Sequence, residues 1–320
     1  MRVLTSAFAA VLLAVVNQVG AQVWPAKPIR VIVNFPPGGA ADHIARLVGP
    51  PLGEALAQPV VVENRAGANG NIGTEAVVRS APDGYTLLMS AGSPIVINPH
   101  VYAKLPFDPL KDLEPVAPAA RIAVFLVVRT GLPVQTMAEL IAYARANPGR
   151  LNYGSPGSGS SPHVAAEMLK RATGIDIVHV PYKGGGPALT DLLAGQLDLW
   201  FDPGVGLPHV KAGKLRLLAV GSPRRSPFFP DTPTVAETGV AGFDADTWFG
   251  FYAPAGTPGE ITARLNREIN RILQTPAAKE RLAAIGAEAV ALSQREFGAL
   301  LRADSERFGA VIRAAGIKAD

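Results

Sequence analysis

The sequence predicts an α/β protein of two lobes, each a mostly parallel sheet flanked by helices. Three observations carry that expectation. Short β-branched runs alternate with helical stretches over residues 29–90, stop, and restart near residue 136, the order that builds parallel sheets. At 320 residues the chain exceeds the ordinary size of one domain. The third is a turn grammar used three times, at 31–42, 151–161 and 178–187, in which a strand runs through a glycine-rich turn into a helix.

The elements follow in order. Ile29 to Val33 is apolar and largely β-branched, which suits a strand covered on both faces. Pro36-Pro37 end it, because neither ring nitrogen can donate to a ladder, and Gly38-Gly39 let the chain turn, with positive φ expected at Gly39. A helix starts near Ala40, and the Pro50-Pro51 pair is expected to break it near Gly49. A strand over 60–64, a helix over 74–80 and a strand over 85–90 complete the first alternation. The apolar stretch 113–128, interrupted by Pro115 and Pro118, carries the chain into a second lobe. There the pattern gives helices over 136–147, 162–172 and 187–193, with strands over 151–153, 177–180, 197–201 and 215–220. Ser161 and Gly186 are the candidate N-caps for the helices that follow the last two glycine-rich turns. Residues 248–252 read as a return strand into the first lobe, and helices over 261–273, 277–285 and 294–315 finish the chain. The lobes so defined are 22–120 plus 246–320, and 121–245.

Residues 1–21 read as an address. Arg2 gives a positive start, residues 7–16 a short apolar core, and Val19-Gly20-Ala21 the small residues a signal peptidase accepts, so cleavage is expected between Ala21 and Gln22. The run is too short to span a bilayer, and no cysteine follows it for a lipid anchor. Export follows; the periplasm as its destination is what the family resemblance below implies.

Composition narrows the chemistry. The chain is 48% hydrophobic and 18% charged, so it can bury large cores and is not disordered. The net charge of +4 is scattered with no basic stripe interleaved with aromatics, which argues against nucleic acid as a partner. With no cysteine, disulfides and thiolate chemistry are excluded. Gly157-Ser158-Gly159 lacks the spacing of a nucleophile elbow, and Gly67, Gly70 and Gly73 lack that of a dinucleotide fingerprint. No Gly-Lys-Ser/Thr follows a glycine loop, and the five histidines share no ligand spacing, so no cofactor and no metal are expected.

Binding is what remains. The three turns offer serine hydroxyls, free backbone N–H groups and helix starts, which together hold carboxylates without a dedicated arginine. Asp202 closes a strand where a polar group commonly faces a crevice. His163 and Lys183 are the titratable groups these loops supply for an enzyme reading, an α/β enzyme of unrecognised chemistry.

The chain resembles the Bug family, the TctC-like periplasmic solute-binding receptors of tripartite tricarboxylate transport systems. The resemblance rests on Phe35-Pro36-Pro37-Gly38-Gly39, Val61-Val62-Glu63-Asn64-Arg65, Gly70-Asn71-Ile72-Gly73, Pro82-Asp83-Gly84-Tyr85, Asn152-Tyr153-Gly154-Ser155, His179-Val180-Pro181-Tyr182-Lys183-Gly184 and Ala253-Pro254-Ala255-Gly256-Thr257-Pro258, in order along nearly the whole chain. It implies a two-lobed Venus-flytrap receptor, here a monomer, holding a small carboxylate between its lobes for membrane permease subunits. An orphan sensory receptor is the alternative. Carried over by position, the ligand-binding residues are Phe35, Pro36, Pro37, Gly38, Gly39 and Ala40; Ser155, Ser158, Gly159, Ser160, Ser161 and His163; Lys183, Gly184 and Gly185; and Asp202. Ala57 stands where the family usually ends a helix with glycine, which implies a less favourable cap.

Overall fold

The computed structural model describes residues 24–318, so the expected leader and its cleavage point lie outside the described residues. β1 (Ile29–Val33) leads through α1 (Ala40–Leu56), β2 (Val60–Asn64) and α2 (Asn71–Val78) to β3 (Thr86–Ala91). β4 (Leu113–Ile122) and β5 (Phe125–Arg129) follow with two residues between them, yet β4 lies in one sheet and β5 in the other. The second sheet then grows through α3 (Met137–Ala146), β6 (Asn152–Ser155), α4 (Ser161–Thr173), β7 (Val178–Pro181), α5 (Gly185–Leu193), β8 (Leu199–Asp202) and β9 (Leu215–Val220). β10 (Thr247–Pro254) returns to the first sheet, joined by α6 (Gly259–Leu273), α7 (Pro276–Ala283), β11 (Ala287–Ala289) and α8 (Gln294–Ala315).

Strand order is β11-β4-β10-β3-β1-β2 in the first sheet and β7-β6-β8-β5-β9 in the second. Two α/β lobes flanked by helices are thus present, and their sheets are mixed. β1 runs parallel to β2 and β3, and β6 to β7 and β8, through helical crossovers. The strands at the crossing, β4, β5 and β10, pair antiparallel with their neighbours: β4 leaves directly for the other lobe, and β5 and β10 arrive directly from it, with no crossover helix at the crossing. Alternation across the first sheet puts Val31, Leu87 and Phe251 against Ile44 and Val48 of α1. Ile32, Leu88 and Tyr252 face the other way, onto Phe297 and Leu301 of α8.

Three local expectations are corrected. α1 runs unbroken through Pro50 and Pro51 to Leu56. A proline inside a helix costs about 3 kcal/mol, but Leu52 and Leu56 beyond the pair are buried on the continuing helix, each stabilising by about 1.5–3 kcal/mol. The stretch 113–128 is not a passive link: it holds β4, with Pro115 and Pro118 beside register shifts opposite β10. β11 pairs only with 120–122, so both prolines are spared a ladder bond on that side. The N-caps of α4 and α5 are Ser160 and Gly184, so each helix starts earlier than its proline suggests.

Candidate functional site: a cavity between the lobes

The C-terminal ends of β1 and β3 from the first sheet and of β6, β7 and β8 from the second converge on one cavity. It encloses about 620 Å³ counting its open mouth. Phe35, Pro36, Pro37, Gly39 and Ala40 supply its first wall, Ser160 and Ser161 its second, and Gly185 its third. These are the turns that share the strand–glycine–helix grammar, and each delivers a helix start: Gly39 caps α1, Ser160 caps α4 and Gly184 caps α5, none with a side-chain bond. The first N–H groups of an α-helix have no partner within it, and its start carries a partial positive charge. Ser160 adds a hydroxyl that is buried, lines the cavity and pairs with no protein group. Among the described residues, no Lys, Arg or His lines the cavity. The polar groups it offers are hydroxyls of Ser93, Ser160, Ser161 and Thr247 and backbone groups.

The remaining expected residues stand behind this lining. Gly38, not Gly39, takes the positive φ of +82°, and its N–H donates to Asp42 at 3.1 Å; Gly39 is extended at −82°. Ser155 is fully buried, its Oγ 2.7 Å from His179 Nε2 and 3.0 Å from the Gly157 carbonyl oxygen. His163 accepts the Gly159 N–H on Nδ1 at 2.9 Å and stacks on His179 at 4.0 Å, and Tyr153 stacks on His179 at 4.9 Å. Burial, then the neighbouring His163, push His179 down to about 3, so its ring is neutral. The Tyr153 hydroxyl donates to Glu167, which also pairs with Lys170. The aromatic pile therefore shapes the serine-rich loop from below. Ser158 and Gly159 belong to that loop without lining the cavity, Gly184 lies against Pro36, and Lys183 is exposed.

Asp202 is fully buried at the end of β8 and accepts the Gly206 N–H at 2.8 Å. Burial raises its carboxyl to about 7, against the lowering effect of N–H groups from Gly206, Gly204 and Val205. It organises the turn that places Pro203 and Val205 in the cavity wall. Sequence reasoning missed those two, together with Ser93, Thr247 and Phe249. Ser93 follows the end of β3, and ends of parallel strands are where crevices open, so that signal was available. Thr247 begins the return strand and accepts the Ser161 hydroxyl across the lobes at 3.2 Å, a pairing that only the tertiary structure creates.

Two α/β lobes joined by crossing strands, with helix starts aimed into the cleft between them, define a solute-binding receptor. A family model described as tripartite tricarboxylate transporter family receptor matches residues 44–317, and the chain belongs to that family. It is 41% identical to protein BugT of Bordetella pertussis over 303 residues, 94% of this chain and 93% of that relative. A solved R. palustris structure with adipate is 37% identical, with a TM-score of 0.89, covering 93% of this chain and 100% of that one. MatC from Rhodopseudomonas palustris with bound malate is 31% identical, with a TM-score of 0.86, covering 90% and 100%. The protein is a Bug-type receptor of the periplasmic binding class, and the enzyme reading falls away.

Proposed function

We propose that the protein is exported, captures a small carboxylate in the interlobe cavity and presents it to membrane permease subunits. The carrying observation is the convergence of three helix starts without side-chain caps and the unpaired Ser160 hydroxyl on a cavity that no charged side chain lines among the described residues. Two similar receptors were solved with dicarboxylates, adipate and malate, which supports the ligand class. The family's description supports the permease, and Arg2, the apolar core and Val19-Gly20-Ala21 support processing before Gln22. The division of β4 and β10 from β5 and β9 between two sheets supports lobes close to 22–120 plus 246–320, and 121–245, although β4 reaches Ile122. On protein stripped of ligand by unfolding and refolding, adipate or malate at about 100 times its dissociation constant should add about 2.7 kcal/mol to stability. No shift with any of a set of mono-, di- and tricarboxylates would overturn the carboxylate reading. Mass spectrometry of periplasmic protein should find Gln22 first.

A further inference from the structure

Each cavity-lining loop of the second lobe alternates between two directions. In the serine-rich loop, Pro156 and Ser160 line the cavity, while a Cβ at Gly159 would stand 2.7 Å from Val101 Cγ2 of the first lobe. Before α5, Gly185 lines the cavity, while a Cβ at Gly184 would stand 2.9 Å from Pro36 Cγ. After β8, Pro203 and Val205 line it, while a Cβ at Gly204 would stand 1.9 Å from the carbonyl oxygen of Ile285. The first lobe answers with Gly286, whose Cβ would stand 2.4 Å from Leu207 Cδ1. All four glycines have positive φ, from +66° to +128°, with Gly204 at +103°. None of the four lines the cavity.

We propose that these glycines are positioning residues for closure: the lobes meet backbone to backbone beside the cavity, and the closed state exists only because no side chain stands in the seam. Gly204 is the sharpest case. Its neighbour is a main-chain oxygen that cannot rotate aside, and Asp202 pins its turn through the Gly206 N–H. A methyl group there has to push the lobes apart as rigid bodies, which shifts the population toward the open form. The inference rests on the two-lobed receptor reading and not on which solute binds.

The chain has no cysteine, so cysteines introduced at exposed Lys104 in the first lobe and Lys214 in the second carry spin labels without background. Pulsed dipolar spectroscopy, with and without adipate, then reports the interlobe distance. The wild type should populate a short distance, and Gly204→Ala should lose it under both conditions. Where adipate binds, its dissociation from the variant should be about tenfold faster or more, because interface changes act mainly on off-rates. Gly174→Ala is the control: it imposes left-handed backbone strain at φ +67° with nothing within 4 Å of the new methyl, and should keep the short distance. Gly159→Ala should lengthen the distance and Val101→Ala, added to it, should restore it; this pair decides the matter if Gly204→Ala does not fold. Retention of the short distance by Gly204→Ala, its loss in Gly174→Ala, its absence from the wild type, or no restoration by Val101→Ala would overturn the proposal. A wild type that closes but ignores every carboxylate would instead sink the ligand reading and leave this one standing.

Discussion

Ser160 is an N-cap whose hydroxyl caps nothing, although its position at the start of α4 lets a serine oxygen accept a helix N–H. A buried hydroxyl without a partner is costly, and under the proposed function a ligand oxygen would satisfy it. Ser160→Ala should therefore weaken carboxylate binding by about 10-fold to 100-fold, the worth of one hydrogen bond to a charged group. Its thermal stability should not fall, and calorimetry beside a melting curve checks both. Lys183 makes the opposite case, because it is exposed and outside the lining. Lys183→Ala should change affinity by about threefold at most, since an exposed charge is screened; complete loss of binding would mean that the cleft works by a point charge. Asp202 adds a pH dependence. Its carboxyl titrates near 3.8 when unfolded and about 7 when folded. Between those values the native state holds more protons, so stability falls as pH rises from about 4 to about 7. Asp246, raised by burial to about 6, acts in the same direction. Urea unfolding at several pH values should show that slope, and Asp202→Asn should flatten part of it.

At the scale of elements, α1 ends on Ala57 with φ 54° and ψ 29°, the left-handed cap that glycine usually occupies. The left-handed conformation costs an alanine about 1–2 kcal/mol, and the greater unfolded freedom of glycine returns about 0.5–1 kcal/mol of that. Ala57→Gly should stabilise the protein by about 0.5–1 kcal/mol, read as a higher urea midpoint at unchanged slope. This cap was read from the family resemblance, whereas β1, β2, β3, β10 and the helices after Pro258 were legible because local periodicity and turn chemistry decide them. The break expected at Pro50-Pro51 was not found, since burial of Leu52 and Leu56 is a tertiary term that no local rule contains. β4 escaped notice for a related reason: proline argues against a strand unless the partner's register shifts and the missing neighbour on one side are known. The site divides in the same way. The turns carrying Gly39, Ser160 and Gly185 announce themselves by composition, while Pro203, Val205, Thr247 and Phe249 reach the cavity only through the meeting of two lobes.

At the scale of the molecule, the two crossings between lobes are fastened to each other by charge. Arg121, at the end of β4, pairs with Asp246, which precedes β10, at 3.1 Å and with Glu288 of β11 at 2.5 Å. Ser222, just after β9 in the second lobe, donates to the same Asp246, and Arg307 of α8 pairs with Asp244 at 3.0 Å. Asp246 is only 5% exposed, so its charge depends on Arg121 and Ser222 in place of water. Removing one partner of a buried pair costs about 3–5 kcal/mol, whereas replacing both with apolar groups is often neutral. Arg121→Met should thus destabilise by about 3 kcal/mol or more at pH 8, and Asp246→Leu added to it should recover most of the loss. The sign of the pH effect follows from the carboxyl's raised position near 6. Arg121 is among the groups that lower it, so in Arg121→Met it rises further and Asp246 is largely protonated at pH 5. A neutral carboxyl needs no cation, so the penalty should shrink at pH 5 relative to pH 8. Unfolding in urea at the two pH values decides it: an equal loss at both would mean that Arg121 holds the crossing by packing and by Glu288, not through the charge of Asp246.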